Sequence, residues 1–336
     1  MTTTQRLTTL LACTFPLFLS SAPSLANGNF DPLQPGFSGA IAVNVGVAGG
    51  SSQFNTDDDN ATTKDLNNNG DSYVSAAPMI LGRLQYSFGD TAVFIGNSPD
   101  QIAEAQFQAE LGVVRRLYAD NTLTVALFGN VPSVDETWED PYLTGVDRDT
   151  SEQTVMGGRV ALDLNVPIPV SVSYAIADSE IDDDYIGNSL ALSASERSLL
   201  KRDSVFQRAT LDVSIPVFAN LSLTPGVQYT VRDADGSAQS HQDKAVQLAI
   251  SSSLRRHSFT ATFRASQTEY DKANPVFDRK RDSDNVGIFA VYNHMGLFSW
   301  QNAMFNLMAG YSESDSDITF YDTETFFVAT GVGFRF

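Results

Sequence analysis

The chain is poor in the residues that most chemistry needs. Its one cysteine, Cys13, lies in the leader-like first stretch, so neither a disulfide framework nor thiolate catalysis is available to the rest. Three histidines are too few and too scattered for zinc spacing, and no glycine-rich phosphate loop occurs. Lysine and arginine total 21 against 40 acids, a net charge of −19, which argues against any nucleic-acid partner. No run of 18 apolar residues exists, so no membrane helix is expected.

What is present begins with an export signal. Arg6 is the lone charge of the first 26 residues, Leu10 to Leu19 is an apolar core, and Ser24-Leu25-Ala26 is a small-x-small cleavage site. A lipoprotein alternative, with Leu10-Leu11-Ala12 before Cys13, leaves too short an apolar stretch. Residues 1–26 therefore read as a signal peptide and 27–36 as a short periplasmic lead-in. Residues 37–336 read as one all-β domain.

That domain alternates with a period of two. In the last stretch Phe326, Val328, Thr330, Val332, Phe334 and Phe336 share one face, with Phe327, Ala329, Gly331, Gly333 and Arg335 opposite. Eleven residues match the roughly 9–11 that a tilted strand needs to cross a bilayer. The same rhythm recurs as fourteen strands, with twelve as the alternative because the third (about Thr91 to Asn97) is weak. Short and long connections alternate. Of the 40 acids, 32 fall in the seven alternate connections 51–72, 97–104, 132–150, 178–203, 232–243, 271–284 and 312–324. A soluble sandwich has no reason to sort acids by loop parity. An antiparallel transmembrane β-barrel, with long outer loops and short periplasmic turns, does. Within 178–203, Ser193-Ala194-Ser195-Glu196 is a capping box that predicts a short helix.

Several segments resemble an uncharacterised family, a domain of unknown function, of outer-membrane barrels from Gram-negative gammaproteobacteria. They are Gly36-Phe37-Ser38-Gly39, Val93-Phe94-Ile95-Gly96, Glu136-Thr137-Trp138-Glu139-Asp140-Pro141, Asn274-Pro275-Val276-Phe277 and Ile318-Thr319-Phe320-Tyr321-Asp322. The resemblance implies an outer-membrane location. It carries over no activity and no catalytic residue.

If the apolar faces meet lipid, the opposite faces line a lumen. They carry Arg83, Arg116, Arg159, Arg208, Arg264 and Arg335 with Glu110, Asp163 and Asp212. Arg83, Arg159, Arg208, Arg264, Asp163 and Asp212 are the candidates for selectivity, as an arginine ladder for anions. The alternative is an internal ion-pair network that stiffens the wall. Asp65, Asn67, Asn69 and Asp71, with Gly70, follow the first positions of a calcium loop. Position 12 would be Ala76, so calcium is the one candidate cofactor on an incomplete ligand set. Otherwise no cofactor is expected.

Phe334 and Phe336 resemble the signal that barrel-assembly machinery reads. Outer-membrane lipid and lipopolysaccharide are the other expected partners, the acidic loops meeting the latter through divalent cations. His257 falls in an expected periplasmic turn, and His241 in an outer loop near Asp235 and Asp243, the place a surface protease would use. Trp138 reads as a rim anchor or a binding aromatic. Three functions follow: a passive channel for small solutes, a closed structural or surface-interaction barrel, and an outer-membrane hydrolase. No enzyme is expected.

Overall fold

The computed structural model describes residues 33–97, 108–130 and 135–336. The signal peptide 1–26, most of the lead-in and most of the connection 97–104 lie outside the described residues.

Fourteen strands form one closed antiparallel barrel. Strand β1 is Gly36–Ser51; β2 comprises Ser72–Ala76 and Met79–Ser87; β3 is Thr91–Asn97; β4 Gln108–Arg116; β5 Thr122–Asn130; β6 Thr150–Leu164; β7 Val170–Ile181. Strand β8 comprises Ser204–Val213 and Ile215–Phe218; β9 is Leu221–Ala234; β10 His241–Leu254; β11 His257–Tyr270; β12 Ser283–Met295; β13 Ala303–Ser316; β14 Thr323–Arg335. Each strand pairs with its neighbours in sequence, and β14 closes on β1 from Ala40↔Arg335 to Ser51↔Glu324. Closure leaves no free sheet edge. Two strands are split. Pro78, which has no backbone donor, interrupts β2. β8 breaks at Ser214, and its register shifts again between Pro216 and Phe218.

The alternation predicted from sequence sets the two faces. Phe37, Val45, Ile80, Leu127, Val160, Val227, Val246 and Val332 point outward and are exposed. An exposed apolar belt on a closed barrel is a lipid-facing surface. On β14 it runs from Phe326 to Phe334. Aromatics mark its lower rim: Phe37 stacks on Phe336 at 5.3 Å, and Tyr86 meets Phe88 at 4.9 Å. Tyr229 and Tyr311 lie nearer the outer end. Above them the outward positions turn charged, as in the Lys244–Glu269 pair.

The third strand is regular over Thr91–Asn97, as expected, despite its weak pattern. The twelfth runs Ser283–Met295. One local expectation changes. His257 is the first residue of β11, because the preceding turn needs only Arg255 (φ 57°) and Arg256. It faces Tyr292 and His294 across the strand pair. The end of the lead-in is also not a free tail. Leu33 is buried against Ala92, Phe94, Val114 and Ala126, and its carbonyl accepts from Ser87 Oγ at 2.8 Å.

Candidate functional site

The lumen is the concave surface that the alternation creates, and its wall is more aromatic than expected. Phe94, Phe128, Phe206, Phe289 and Phe327 point inward and are buried. Glycines on adjacent strands make room for two of them. A Cβ on Gly112 would come within 2.6 Å of the Phe94 ring, and one on Gly157 within 2.5 Å of Phe128.

Arginine is set among these rings. Arg83 lies 3.6 Å above the Phe94 centroid, and Arg232 lies 5.2 Å above Phe206. Both are cation–π contacts. Arg159 makes a two-bond fork onto Glu110, Nε to Oε2 at 2.8 Å and Nη2 to Oε1 at 2.9 Å. Arg264 donates to Asp243 and to Gln228, each at 2.9 Å. Arg208 donates to Thr230 Oγ1 at 3.0 Å, and Asp212 accepts from Gln247 at 2.7 Å. The candidate arginines thus divide. Arg159 and Arg264 each have a carboxylate partner at contact distance. Arg83 and Arg208 lie against a ring and a hydroxyl. Asp163 stands apart: it sits near the periplasmic end of β6, exposed, accepting from Thr122 and Ser171 at 3.0 and 2.7 Å. In the middle and outer lumen, Arg83, Arg159, Arg208, Arg232 and Arg264 face Glu110, Asp212 and Asp243. Arginine outnumbers carboxylate there, against the sign of the whole chain.

The outer loops do not stand free. Tyr142, Ile186, Leu200, Ala238, Ile318, Phe320 and Tyr321 form a buried cluster drawn from four loops, with Phe54, Leu66 and Phe277 from two more packed around it. Phe320 is its centre, with rings of Tyr142, Phe277 and Tyr321 at 5.4, 5.7 and 5.3 Å. The Tyr142 and Tyr321 hydroxyls are hydrogen-bonded to each other. Asn274 Nδ2 donates to both, at 2.9 and 2.7 Å. Burial raises both phenols above their ordinary pKa. This apolar roof spans the outer mouth.

A polar buttress supports one side of the roof. Trp138 is buried, donates Nε1–H to the Gln53 carbonyl at 3.0 Å, and carries Arg148 over its ring at 4.4 Å. Trp138 belongs to a three-residue strand, Glu136–Trp138, paired with the start of β6, so it anchors the loop. Arg148 donates to the carbonyls of Gln53, Pro141 and Asn60. Burial lowers its pKa to about 10, with Asp140 pulling the other way. The helix predicted by the capping box is present as Ala194–Ser198, with both box bonds formed.

In the candidate calcium loop the side chains of Asp65 and Asn69 bond within the loop and to β1. Asp65 Oδ1 accepts from Asn67 N at 2.7 Å and Asn68 Nδ2 at 3.1 Å, and Asn69 donates to Ser51 Oγ at 3.0 Å. Asp71 donates its backbone N–H to Asn60 at 3.3 Å. The loop is stitched to β1 as an Asn/Asp-rich turn. His241 opens β10 and does not lie in a loop; its Nδ1 is 3.2 Å from the Gln239 carbonyl, and its ring meets Tyr270 at 4.8 Å. Asp243 binds Arg264 and Thr268, so it does not orient that imidazole.

Sequence reasoning missed Arg148, Arg202, Arg232 and Arg281, all of which serve the roof or the space under it. Strand alternation signals only Arg232. The others sit in loops, where no periodicity exists to read.

Several solved structures of outer-membrane proteins are similar to this chain. An anion-selective porin from Comamonas acidovorans matches at 12% identity and a TM-score of 0.42, over 89% of this chain and 98% of that one. A loop-deletion mutant of OmpT, an outer membrane protein of Vibrio cholerae, matches at 8% identity and 0.44, over 90% and 100%. The CymD monoaromatic hydrocarbon channel matches at 9% and 0.45, over 91% and 90%. No curated protein matches. Likeness at this level leaves the functional argument to the barrel itself. Residues 36–335 match the family described as "Protein of unknown function (DUF2860)", and the chain belongs to that family.

Proposed function

We propose that this protein is an outer-membrane channel of porin type for small anionic solutes, with its outer mouth covered by a loop roof. One observation carries the reading. The inward face concentrates arginine over carboxylate while the chain as a whole is strongly acidic. A lumen of opposite sign to its surroundings focuses field on anions. Arg83, Arg159, Arg208 and Arg264 are the selectivity residues, with Glu110 and Asp243 also bracing Arg159 and Arg264 against the wall. Export through residues 1–26, insertion through the β14 strand ending in Phe334 and Phe336, and contact of the acidic loops with lipopolysaccharide complete the reading.

A closed surface barrel is the second reading, and the packed roof favours it. Planar-bilayer recording decides between them. Purified protein should give discrete conductance steps, increased by a roof-opening substitution. If neither wild type nor roof variant conducts at any voltage, the channel is rejected and the closed barrel stands.

A further inference from the structure

Beneath the roof is a partly open cavity of about 40 Å³, room for about three or four waters or one small ion at roughly 10–15 Å³ per water. Its wall takes residues from β6, β7 and β9 and from most of the outer loops, so it lies where lumen and roof meet. Among the described residues, the cations in the wall are Arg202, Arg232 and Arg281, and no carboxylate lines it. Gln153, Gln239 and Thr137 add carboxamide and hydroxyl groups.

Each guanidinium is held from behind. Asp184 grips Arg202 at 2.7 Å from the loop side, and Arg202 also donates to Thr137 Oγ1 at 3.2 Å. Arg232 donates to Ser204 Oγ at 2.8 Å and to the Arg202 carbonyl at 2.9 Å. Arg281 lies over the Tyr321 ring at 4.0 Å and the Tyr270 ring at 5.2 Å. Three separate segments thus bring guanidinium-bearing residues to the wall of one small space, Arg202 already paired with Asp184. Confinement there costs mutual repulsion and desolvation. An oxyanion placed between them offsets both, through charge-assisted and often bidentate hydrogen bonds.

We infer that this cavity is a binding site for a small oxyanion, of the phosphate, sulfate or short-carboxylate class, held by Arg202, Arg232 and Arg281. The inference deepens the channel reading by naming its solute class, yet binding does not require conduction. The oxyanion arrives from solution, because the walls are inward strand ends and loops, away from the lipid-facing side. Occupancy also ties the loop of Arg202 and the loop of Arg281 to β9, and so steadies the roof.

The test uses the full chain folded in detergent free of lipopolysaccharide, titrated with inorganic phosphate and with chloride at matched ionic strength. Calorimetry should show saturable phosphate binding that chloride does not reproduce, with a higher unfolding temperature in phosphate. Arg281→Gln should weaken phosphate binding by about tenfold, the loss of one charge-assisted partner, and Arg281→Lys should retain part of it. Heat-modifiable gel migration verifies that each variant is a folded barrel. Phosphate behaving like chloride overturns the site. So does a folded Arg232→Gln/Arg281→Gln variant that binds phosphate as wild type does. Bilayer recording separates the two readings: saturable binding without conductance supports the site and rejects the channel, and conductance without saturable binding rejects the site and keeps the channel.

Discussion

Arg159 shows how one side chain serves the wall. Its fork onto Glu110 satisfies two buried charges at once. Arg159→Ala would strand Glu110 and should cost about 3–5 kcal/mol, the usual penalty for breaking a buried pair from one side. Removing both charges, as Glu110→Gln with Arg159→Met, should recover most of that loss. Urea unfolding of the barrel in detergent measures both, and equal losses in the two variants would refute the pairing. Tyr142 and Tyr321 predict a pH response. Burial raises their folded pKa values, so the stability they contribute is complete below the unfolded value near 10 and fades as pH rises through the folded values. The roof should therefore persist to about pH 10 and loosen above it. Absorbance titration should find part of the eleven tyrosines ionising late, a part that Tyr142→Phe diminishes. A single transition near 10 for all of them would contradict it.

Among elements, the roof is the one most open to test. Phe320 is fully buried at its centre. Phe320→Ala should cost the roof about 3–5 kcal/mol, as for a buried ring, without dissolving the strands below. Limited proteolysis should then cut within 182–203 or 271–282 while the barrel core keeps its heat-modifiable migration. Unchanged protection of both loops would show that the roof does not depend on this ring. The closing seam makes a second test. Phe336 stacks on Phe37, and its backbone exchanges hydrogen bonds with Gly39 at 3.0 and 2.9 Å. Phe336→Ala should lower the yield of folded barrel in vesicles by removing the aromatic anchor while leaving those backbone bonds possible. A wild-type yield would assign the seam's stability to the backbone ladder alone.

For the whole molecule, the sign of the lumen matters more than the net charge. Arg83→Ala with Arg208→Ala should move the reversal potential in a salt gradient away from anion preference. Arg159→Ala should move it less, because Glu110 already balances that charge. Equal shifts, or none, would remove the proposed selectivity role. The −19 of the whole chain does not decide this, since 32 of the 40 carboxylates lie in the outer connections.

The barrel itself was written in the sequence. A period of two, repeated fourteen times and punctuated by acid-rich connections of alternating length, determines which residues meet lipid and which face inward, because a strand sends successive side chains to opposite faces. The membership in an uncharacterised barrel family was legible in the same way, from short segments such as Glu136–Pro141. The capping box of Ser193 and Glu196 predicted its helix from local bonds alone. Three things were decided only by tertiary structure. Ion pairing in the wall joins residues from different strands, Arg159 with Glu110 and Arg264 with Asp243, and alternation gives the face of each but not the distance between them. The inward phenylalanines fit because glycine partners such as Gly157 stand beside them on neighbouring strands. The roof and the arginine-lined cavity arise from loops far apart in sequence that bury apolar surface together. Loops carry no period, so the contact of Tyr142 with Tyr321, and the convergence of Arg202, Arg232 and Arg281, exist only once the barrel has brought its outer ends into one ring.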